Sequence, residues 1–348
     1  MTSHVGVIGG GPVGLVSAIL AARAGHRVTV FEPRSGAIDK ACGEGLMPGA
    51  LALLNTLGLD PEGRPLRGVS YRQGRHSVDH LFPDQPGRGV RRTTLHSLLT
   101  TTATADGITI EPHAVSGIET HQGTAVRLTT ANGQPHSVDW VVACDGLHSP
   151  TAKKLGLAQT PPGKKTNRRF GLRQHYTLSP WSELIEVHYT PDTEIYITPV
   201  ADDEVGVAIL GKKGLNLDEA LQQVPELNER LHGATPSSTL RGSGPFPQKT
   251  SRRTVGRVML VGDSSGYVDA ITGEGLRVGF EQATLAVDAI GAESPQAYEK
   301  SWKHATRNFR VLTRGLTSAA TSPLRPAIVP LAKALPAVFG SVVDRLAR

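Results

Sequence analysis

The apolar positions near the start of the chain follow two different periods. The stretch "HVGVI" is apolar and rich in β-branched residues, which predicts a buried strand. The following "PVGLVSAILAARAG" spaces its apolar residues as a helix does, and Pro12 suits the first helical turn. "RVTVFE" is again typical of a strand. The pattern therefore predicts a strand–helix–strand unit.

Gly9, Gly11 and Gly14 stand between the first strand and the helix in GxGxxG spacing. In a dinucleotide-binding turn such glycines permit the tight turn, the close approach of a diphosphate and the packing of helix on strand, and the helix N-terminus faces the anion. Glu32 ends the second strand, where an acidic side chain accepts hydrogen bonds from ribose hydroxyls and disfavours a 2′-phosphate. We therefore predict a dinucleotide site; a glycine-rich turn without a ligand is the alternative.

Between residues 166 and 244 the pattern changes to short runs that are β-branched or aromatic and partly alternating. They are "RRFGLRQHY", "LIEVHYT", "EIYITPV" and "EVGVAIL", separated by turn residues. This pattern predicts an antiparallel sheet. We also predict an amphipathic helix opened by Asp218 in "LDEALQQVPELNERLHG" and a hairpin turn at Asn132-Gly133.

Composition bounds the class of protein. The chain has 348 residues, 39% of them hydrophobic and 20% charged, which fits a soluble globular protein of about one to three domains. Cys42 and Cys144 lie far apart and lack metal-ligand spacing, so neither a disulfide framework nor a metal site is predicted. A reducing, cytoplasmic setting fits this cysteine content.

The net charge is +6, yet the chain has no run of about five to eight Lys or Arg of the kind that marks nucleic-acid sites. We interpret the excess positive charge as scattered over a solvated surface and predict no nucleic-acid partner. The segment "SPLRPAIVPLAKALPAVFGSVVDRLAR" is apolar, but its prolines and Lys333 interrupt a spanning helix. We expect no membrane span, leave a peripheral lipid contact open, and assign no oligomeric state.

Four further segments carry candidate chemistry. "VDWVVACDGLHSP" predicts a buried strand that ends at Asp145, and "RVMLVGDSSGYVDAITGEGLRVGFEQA" predicts another that ends at Gly262-Asp263 before two glycines and a long helix. "RRTTLHSLLTTTA" places Arg92 before two leucines, and "DKACGEGLMPGA" follows the second strand. In this order the motifs resemble those of the flavoprotein aromatic hydroxylase (class A monooxygenase) and geranylgeranyl reductase superfamily, where they surround one FAD. The resemblance covers residues 1–165 and 245–315.

The resemblance implies a fold and a division of the chain. The fold class is α/β: a Rossmann-like FAD-binding domain of the glutathione reductase type, with an inserted antiparallel β-sheet substrate domain and C-terminal helices. The FAD-binding domain would be discontinuous, formed by residues 1–70, 90–165 and 245–320. Residues 71–89 and 166–244 would form the substrate-binding sheet, and residues 321–348 a C-terminal helical segment.

The resemblance also implies roles for individual residues. Asp263 would bind the ribityl chain of FAD, and Asp145 would support the FAD and the nicotinamide donor. Glycines would let the backbone pass close to the flavin ring, and the helix after them would direct its positive end at the ring. The expected FAD-binding residues are Gly9, Gly11, Pro12, Val13, Gly14, Glu32, Pro33, Arg34, Lys40, Cys42, Gly43, Arg92, Asp145, Gly262, Asp263, Gly273, Gly275 and Leu276.

Some of these residues have simpler interpretations. Cys42 also fits an ordinary buried small side chain, and we predict no catalytic thiol. Arg92 also fits an exposed arginine in a first helical turn. In relatives the antiparallel sheet covers the flavin and forms the substrate pocket; polar side chains on a half-buried sheet otherwise face water. The substrate-binding candidates on this sheet are Arg173, His175, His188 and Tyr196.

By the same resemblance, the expected function is that of an NAD(P)H-dependent FAD monooxygenase, which oxidises a small aromatic or polycyclic substrate through a flavin C4a-hydroperoxide. One alternative is an FAD-dependent reductase of isoprenoid double bonds, which the loop around Cys42 favours. Another is a non-catalytic flavin-binding protein. The Trp-x-Trp-x-Ile-Pro segment of flavin halogenases is absent, which disfavours halogenation.

Three positions depart from the hydroxylase pattern. Ala152 stands where an arginine is expected, Gly266 where hydroxylases often carry histidine, and Ala270 in place of a proline near the ring. The first departure weakens the inference of nicotinamide docking. The other two bring this segment closer to the reductase branch of the superfamily.

Overall fold

The structure, a computed structural model, describes residues 2–120, 125–160 and 168–347. Its strands, numbered in chain order, are β1 His4–Ile8, β2 Arg27–Phe31, β3 Gly45–Leu46, β4 Arg64–Leu66, β5 Gly68–Gln73, β6 His76–Leu81, β7 Gly87–Gly89, β8 Thr109–Glu111, β9 Val115–Thr120, β10 Val126–Thr130, β11 Pro135–Val138, β12 Trp140–Ala143, β13 Ala158–Gln159, β14 Arg169–Thr177, β15 Leu184–Tyr189, β16 Glu194–Ala201, β17 Glu204–Lys212, β18 Thr235–Pro236, β19 Arg241–Phe246, β20 Lys249–Thr250, β21 Thr254–Val255 and β22 Val258–Leu260. Its α-helices are α1 Pro12–Arg23, α2 Pro48–Thr56, α3 Arg92–Ala105, α4 Pro150–Lys154, α5 Leu217–Gln222, α6 Pro225–Leu231, α7 Gly275–Gly291, α8 Pro295–Ala320, α9 Ile328–Ala334 and α10 Pro336–Ala347.

A six-stranded sheet combines four separate parts of the chain in the order β21-β22-β12-β1-β2-β8. Its pairs are parallel except β21 with β22. In the centre, Val7 of β1 lies opposite Val30 of β2 and Val142 of β12. Every residue of β12 is buried, as is typical of a parallel strand covered on both faces. Helix α1 packs on β1 and β2, and α7 packs on α1, so the predicted strand–helix–strand unit is confirmed and the sheet is consistent with a Rossmann-like domain.

The predicted Asn132-Gly133 turn joins β10 to β11. Gly133 has a φ of +85°, a left-handed conformation that glycine adopts without strain. The hairpin belongs to a three-stranded sheet in the order β11-β10-β9. Leu128 and Val138 of this hairpin pack in the same apolar cluster as Phe31 of β2, so the small sheet covers one side of the six-stranded sheet.

The second large sheet has eight strands in the order β18-β14-β17-β16-β15-β5-β6, with β19 paired to β14. Its pairs are antiparallel, as predicted, except that β15 and β5 run parallel. Successive residues alternate between its two faces. Ile195 and Ile197 of β16 pack with the α5–α6 helices on one face, whereas Tyr196 between them points to the other face.

The helical pattern after residue 216 forms two short helices, α5 and α6, where one helix was predicted. Asn216, and not Asp218, caps the first helix, because its side chain accepts hydrogen bonds from the backbone N–H groups of the two residues after Leu217. Pro225 begins the second helix, and Val224 before it is outside the helical region with φ −126° and ψ 87°. A proline lacks the N–H that would continue the helix and disfavours helical geometry in the preceding residue, which explains the break.

The expected C-terminal helices are α8, α9 and α10. Helix α8 packs along α7, and α9 lies on β5 and β6. The ring of Phe339 in α10 meets that of Tyr71 edge-on, with centroids 5.1 Å apart. Within the described ranges, no helix taken alone has both the length and the apolar character to cross a bilayer. The segments Arg325–Ala334 and Pro336–Ala347 reach that hydropathy only as a pair, and the pair is bent by 106°.

Candidate functional site

A cavity of about 440 Å³ lies where the carboxyl ends of the central strands of the six-stranded sheet meet the second face of the eight-stranded sheet. Residues after β1, β12 and β22 form one end of it, which we call the cofactor end. Side chains of β5 and β14 to β17, together with Phe246 of β19, form the other, which we call the sheet end. Clefts at the carboxyl ends of parallel strands are the usual ligand sites of such sheets.

The turn between β1 and α1 requires two of its glycines for packing and leaves a third facing the cavity. Gly9 has a φ of +101°, and a Cβ there would lie 2.6 Å from the Cys144 carbonyl oxygen. A Cβ on Gly14 would overlap the Gly9 carbonyl oxygen. A Cβ on Gly11, by contrast, would meet no described atom within 4 Å, and Gly11 lines the cavity. Protein packing thus explains Gly9 and Gly14 but not Gly11.

Two helices begin at the wall of the cavity. Helix α1 starts at Pro12 and α7 at Gly275, and both residues line the cavity together with Val13 and Leu276. At neither helix start does a capping side chain accept a hydrogen bond from the backbone, among the described residues. Unpaired N–H groups and the helix dipole make such ends binding sites for anions and electron-rich groups.

Glu32 lies just behind the wall and is almost fully buried. Its Oε2 accepts a hydrogen bond from the Gly10 N–H at 2.8 Å, and its Oε1 pairs with Nε of Arg34 at 2.8 Å. Burial opposes ionisation, but the hydrogen bonds from Arg34 and Gly10 outweigh it and lower the pKa of Glu32 below its usual value. Arg34 itself lines the cavity, whereas Pro33 is exposed and outside the wall. The predicted ribose contact of Glu32 would thus share its carboxylate with Arg34.

The two predicted aspartates at strand ends differ in what they bind. Asp145, after β12, accepts a hydrogen bond from the Thr151 N–H at 2.8 Å and another from the hydroxyl of Ser149, so its carboxylate stabilises the start of α4. Asp263, after β22, lines the cavity with Oδ2 3.9 Å from Nζ of Lys40. Gly262 before it has a φ of +71°, which turns the chain at this point. Asp263 therefore presents its carboxylate to the cavity more fully than Asp145.

The loop from Lys40 to Leu46 passes along the cavity, and Lys40, Cys42 and Gly43 all line it. Its conformation depends on Glu44, which has a φ of +58° and is buried. Oε1 of Glu44 accepts a hydrogen bond from the Arg92 N–H at 2.7 Å at the start of α3, and Oε2 accepts one from Nε2 of His175. Glu44 therefore ties the loop both to α3 and to the eight-stranded sheet.

The turn before α7 carries the remaining predicted glycines. Gly273 has a φ of +69°, and Gly273 and Gly275 line the cavity. Between them Glu274 is buried, with Oε2 2.8 Å from Nε of Arg277. Burial raises the pKa of Glu274 to about 8, even though Arg277 lowers it. The carboxyl group at this helix start is therefore largely protonated at neutral pH.

The four substrate-binding candidates occupy three different places. Tyr196 lines the cavity. Arg173 lines it too, but its guanidinium donates hydrogen bonds to Asp39 and to the Lys40 carbonyl oxygen, so it holds the loop. His175 is fully buried behind the wall, and His188 lines a separate cleft beside Glu186 at 3.0 Å. The positions of His175 and His188 give no support to a substrate contact in the main cavity.

The sheet end of the cavity is mainly apolar and aromatic, and the sequence did not reveal most of it. Burial raises the pKa of Tyr71 to about 12 and the pKa values of Tyr196 and Tyr267 well above the usual value, so these phenols stay protonated. The hydroxyl of Tyr196 donates to the Ile271 carbonyl oxygen at 3.1 Å. The wall residues that sequence reasoning missed include Glu44, Met47, Tyr71, Ile185, Leu210, Phe246 and Tyr267. Alternation on a strand marks such residues as buried, but it does not tell which sheet face bounds a cavity.

The donor set fits an FAD. Besides the open space at Gly11, a Cβ on Gly43 would meet nothing within 4 Å among the described residues. Nη1 of Arg92 and Oγ1 of Thr272 are buried in the wall without a hydrogen-bond partner in the described parts of the chain. Buried polar atoms of this kind normally have a partner, and the phosphates, ribityl hydroxyls and ring carbonyls of FAD are suitable ones.

Comparison with known proteins agrees with this fit. The FAD binding domain family matches residues 2–301. The menaquinone reductase of Mycobacterium tuberculosis is 30% identical over 316 residues, which cover 83% of this chain and 76% of that protein. The 6-methylpretetramide 4-monooxygenase of Streptomyces rimosus is 26% identical and covers 99% of this chain and 92% of its own. Among solved structures, a flavoprotein/dehydrogenase from Cytophaga hutchinsonii has a TM-score of 0.87 at 19% identity, covering 99% of this chain and 92% of its own, which shows the shared fold.

These similarities confirm the expected superfamily, the α/β fold and the cofactor. Because the relatives are named as reductases and monooxygenases, the chain is an FAD-dependent oxidoreductase. A reduced nicotinamide is the electron donor typical of the family. On the match over residues 2–301, this chain belongs to the FAD binding domain family.

Proposed function

We propose that this chain is an NAD(P)H-dependent FAD monooxygenase that inserts one oxygen atom into an apolar aromatic or polycyclic substrate. The observation that supports the proposal most directly is the character of the sheet end. Tyr71, Ile185, Leu210 and Phe246 line it, and the charged side chain nearby, Arg173, is held by Asp39. Such a wall binds an uncharged ring and excludes water, which protects oxygenation from unproductive side reactions.

The cofactor end supplies binding and electrostatics. In this proposal the N-terminus of α1 holds the diphosphate, Asp263 the ribityl chain, and Lys40 to Gly43 lie along the ring system. When bound, FAD accepts electrons from the nicotinamide and activates oxygen. The α7 N-terminus stabilises negative charge on the reduced ring. Glu274 beside it pairs with Arg277, and burial raises its pKa to about 8, so it adds little opposing charge.

Protonated phenols at the sheet end orient the substrate. Tyr71 and Tyr267 line the cavity and keep their protons at neutral pH, so each can donate a hydrogen bond to a carbonyl or phenolic oxygen of a bound ring. Tyr196 is already bonded to the Ile271 carbonyl oxygen and so positions the turn between the two ends of the cavity. The substrate therefore binds by shape, with one or two polar contacts.

The experiment that tests the proposal follows the fate of molecular oxygen. Purified protein reconstituted with FAD is given NADH or NADPH, ¹⁸O₂ and a panel of naphthols, hydroxynaphthoquinones and alkylated phenols. We expect one ¹⁸O atom in a product, together with oxygen consumption that requires the nicotinamide. Gly11→Val, which should not bind FAD, is the control for flavin-independent oxidation. A product that forms equally without oxygen would refute monooxygenation.

A second candidate is reduction of a carbon–carbon double bond in a prenyl chain. It is favoured by the relative of 30% identity named menaquinone reductase, together with the position of Cys42 in the cavity wall. Reduction would add one hydride and one proton to the double bond; the nicotinamide would supply the hydride through FAD, and a phenol in the wall, Tyr71 or Tyr267, would supply the proton. With menaquinone and NAD(P)H under anaerobic conditions, a product that stays heavier by two hydrogens after its quinone ring has been reoxidised would establish this activity in place of the first.

The remaining predictions are part of the same proposal. Protein that binds FAD but consumes no nicotinamide with any substrate would indicate the non-catalytic alternative. We retain the division into an FAD-binding part (residues 1–70, 90–165 and 245–320), a substrate part (residues 71–89 and 166–244) and a C-terminal segment. In the structure the eight-stranded sheet already includes β5 from Gly68. The cytoplasmic setting remains a prediction; both cysteines are free thiols in the structure.

A further inference from the structure

The excess of positive over negative charge lies at the C-terminal end of the chain. Residues 301–348 carry a net charge of +7, which exceeds the +6 of the whole chain, so the first 300 residues are close to neutral. No Asp or Glu occurs between Glu299 and Asp344. The interpretation of the excess charge as scattered is therefore wrong. The basic residues of this segment are Lys303, Arg307, Arg310, Arg314, Arg325, Lys333, Arg345 and Arg348.

The same segment exposes most of the large apolar side chains that face solvent. Seven such side chains are exposed in the described residues, and five of them lie between residues 311 and 338. A cluster of this kind marks a binding surface, whereas single exposed apolar residues are ordinary. Leu324, Leu331, Leu335 and Val338 are each 55–67% exposed.

The shape of the segment suits an interface with lipid. Leu335 separates α9 from α10 at the bend of 106°, and Leu331 and Val338 lie one turn before and one turn after it. We call these three residues the apolar corner. Lys333, between Leu331 and Leu335, is also exposed. Exposed apolar side chains flanked by cations are typical of helices that lie in a bilayer surface without spanning it.

The buried side of these helices continues into the cavity wall. Val329 of α9 and Val343 of α10 belong to the same apolar cluster as Met47, Ile185 and Phe246, which line the cavity. Arg325 holds the segment in place, because its Nη1 lies 2.5 Å from Oε1 of the buried Glu194 in β16. The apolar corner therefore lies on the outer side of helices whose inner side packs against this cluster.

We infer that the apolar corner docks on an anionic lipid bilayer. Lys333 of α9 and Arg345 of α10, both exposed, favour anionic over neutral lipid, since basic residues near a negatively charged surface are attracted over about a Debye length. The docking itself does not depend on the reaction.

Vesicle flotation with the FAD-loaded protein tests the docking. We expect binding to vesicles of phosphatidylglycerol and phosphatidylcholine in equal parts, weaker binding to phosphatidylcholine alone, and release by high salt. The variant Leu331→Ser/Leu335→Ser/Val338→Ser should reduce binding at least ~10-fold, whereas Leu240→Ser, at an exposed leucine elsewhere, should not change it. Lys333→Glu should weaken binding to the anionic vesicles only.

The alternative occupant of the corner is a second copy of this chain. Failure of the FAD-loaded protein to float with vesicles, or equal flotation of the triple variant, would overturn the inference. So would a dimer in sedimentation velocity that the triple variant converts to monomer. The flavin absorption spectrum checks that the variants fold, and single Leu331→Ser replaces the triple variant if it does not. Because flotation needs no turnover, its outcome is independent of the test for monooxygenation.

Discussion

Backbone groups form most of the cofactor end of the cavity, whereas side chains form most of the sheet end. At the cofactor end backbone groups dominate: among the described residues, Gly11 and Gly43 leave open space, and α1 and α7 begin without a capping side chain. At the sheet end side chains from strands distant in sequence form the wall, among them Tyr71 and Ile185. Binding at the cofactor end depends on glycines, which have no side chain to fill the space. Binding at the sheet end depends on the side chains that form the wall. Substitutions should therefore separate cofactor binding from substrate binding.

The largest effect is expected within the glycine turn, where two neighbouring glycines should behave differently. Gly14→Val would drive a side chain into the Gly9 carbonyl oxygen and should prevent folding. Gly11→Val has space within the protein but fills the predicted diphosphate site, so it should fold without binding FAD. Circular dichroism and FAD titration measure the two properties. If Gly11→Val retained its yellow colour, the placement of the diphosphate would be wrong.

A second effect concerns the dependence of stability on pH, in which the ionisable groups of the two ends should differ. Glu274 at the cofactor end has its pKa raised to about 8, whereas the phenols at the sheet end stay protonated beyond neutral pH. Between about pH 5 and 8 the folded protein holds a proton that the unfolded chain releases, so stability should fall as pH rises through this range. The loss is on the order of 4 kcal/mol.

Glu274→Gln is the variant that tests this pH effect, because glutamine keeps the size and removes the titration. Urea unfolding of both proteins at several pH values between 5 and 8 should show a smaller decline for the variant. Glu281→Gln is the matched control, since Glu281 also contacts Arg277, at 3.3 Å, but is much more exposed. If the free energy of unfolding of Glu274→Gln declined between pH 5 and 8 as much as that of the unmodified protein, Glu274 would not be the group responsible.

A third, smaller effect tests the two aspartates at strand ends. Asp263→Ala should weaken FAD binding by about 1.5–3 kcal/mol, the usual contribution of a hydrogen bond to a charged group. Asp145→Ala should instead lower stability, because its carboxylate accepts hydrogen bonds at the start of α4. FAD titration and thermal unfolding of both variants give the comparison. Equal FAD affinity in Asp263→Ala and the unmodified protein would refute the ribityl contact.

The smallest effect is expected at the bond that joins the two ends. Tyr196→Phe removes the hydrogen bond to the Ile271 carbonyl oxygen and should cost about 0.5–1.5 kcal/mol of stability. KM for the substrate should rise more than the Kd for FAD, since Tyr196 itself lines the sheet end of the cavity. Tyr176→Phe is a control, because Tyr176 packs on the α5–α6 face, away from the cavity. A change in FAD affinity larger than the change in KM would break the proposed separation.

Sequence reasoning succeeded where the signal is local. The strand–helix–strand unit, the positions of Asp145 and Asp263 after strands, and the start of α3 at Arg92 all depend on periodicity or on residues a few positions apart. It failed where the face of a strand or the reach of a side chain decides. In β15, Ile185 and Val187 line the cavity, so His188 points to the opposite face.

Other failures have the same origin. His175 has the same parity as Arg173 in β14, but it lies further along the strand and beneath Glu44, outside the wall. Glu44 itself was passed over because a glutamate between two glycines carries no signal of its own. Its role arises only where the 40–46 loop, α3 and the eight-stranded sheet meet.

The sequence alone determined the cofactor end, because a phosphate-binding turn is a property of a few consecutive residues whose backbone must bend and remain uncovered. It also determined the net charge of residues 301–348 and which of them are apolar. Only the tertiary structure decided which side chains form the sheet end, which carboxyl groups have their pKa raised by burial, and that the C-terminal helices pack against the apolar cluster that borders the cavity. These features depend on which strands and helices, far apart in the sequence, become neighbours in the fold. The order of elements along the chain does not give their distances in space.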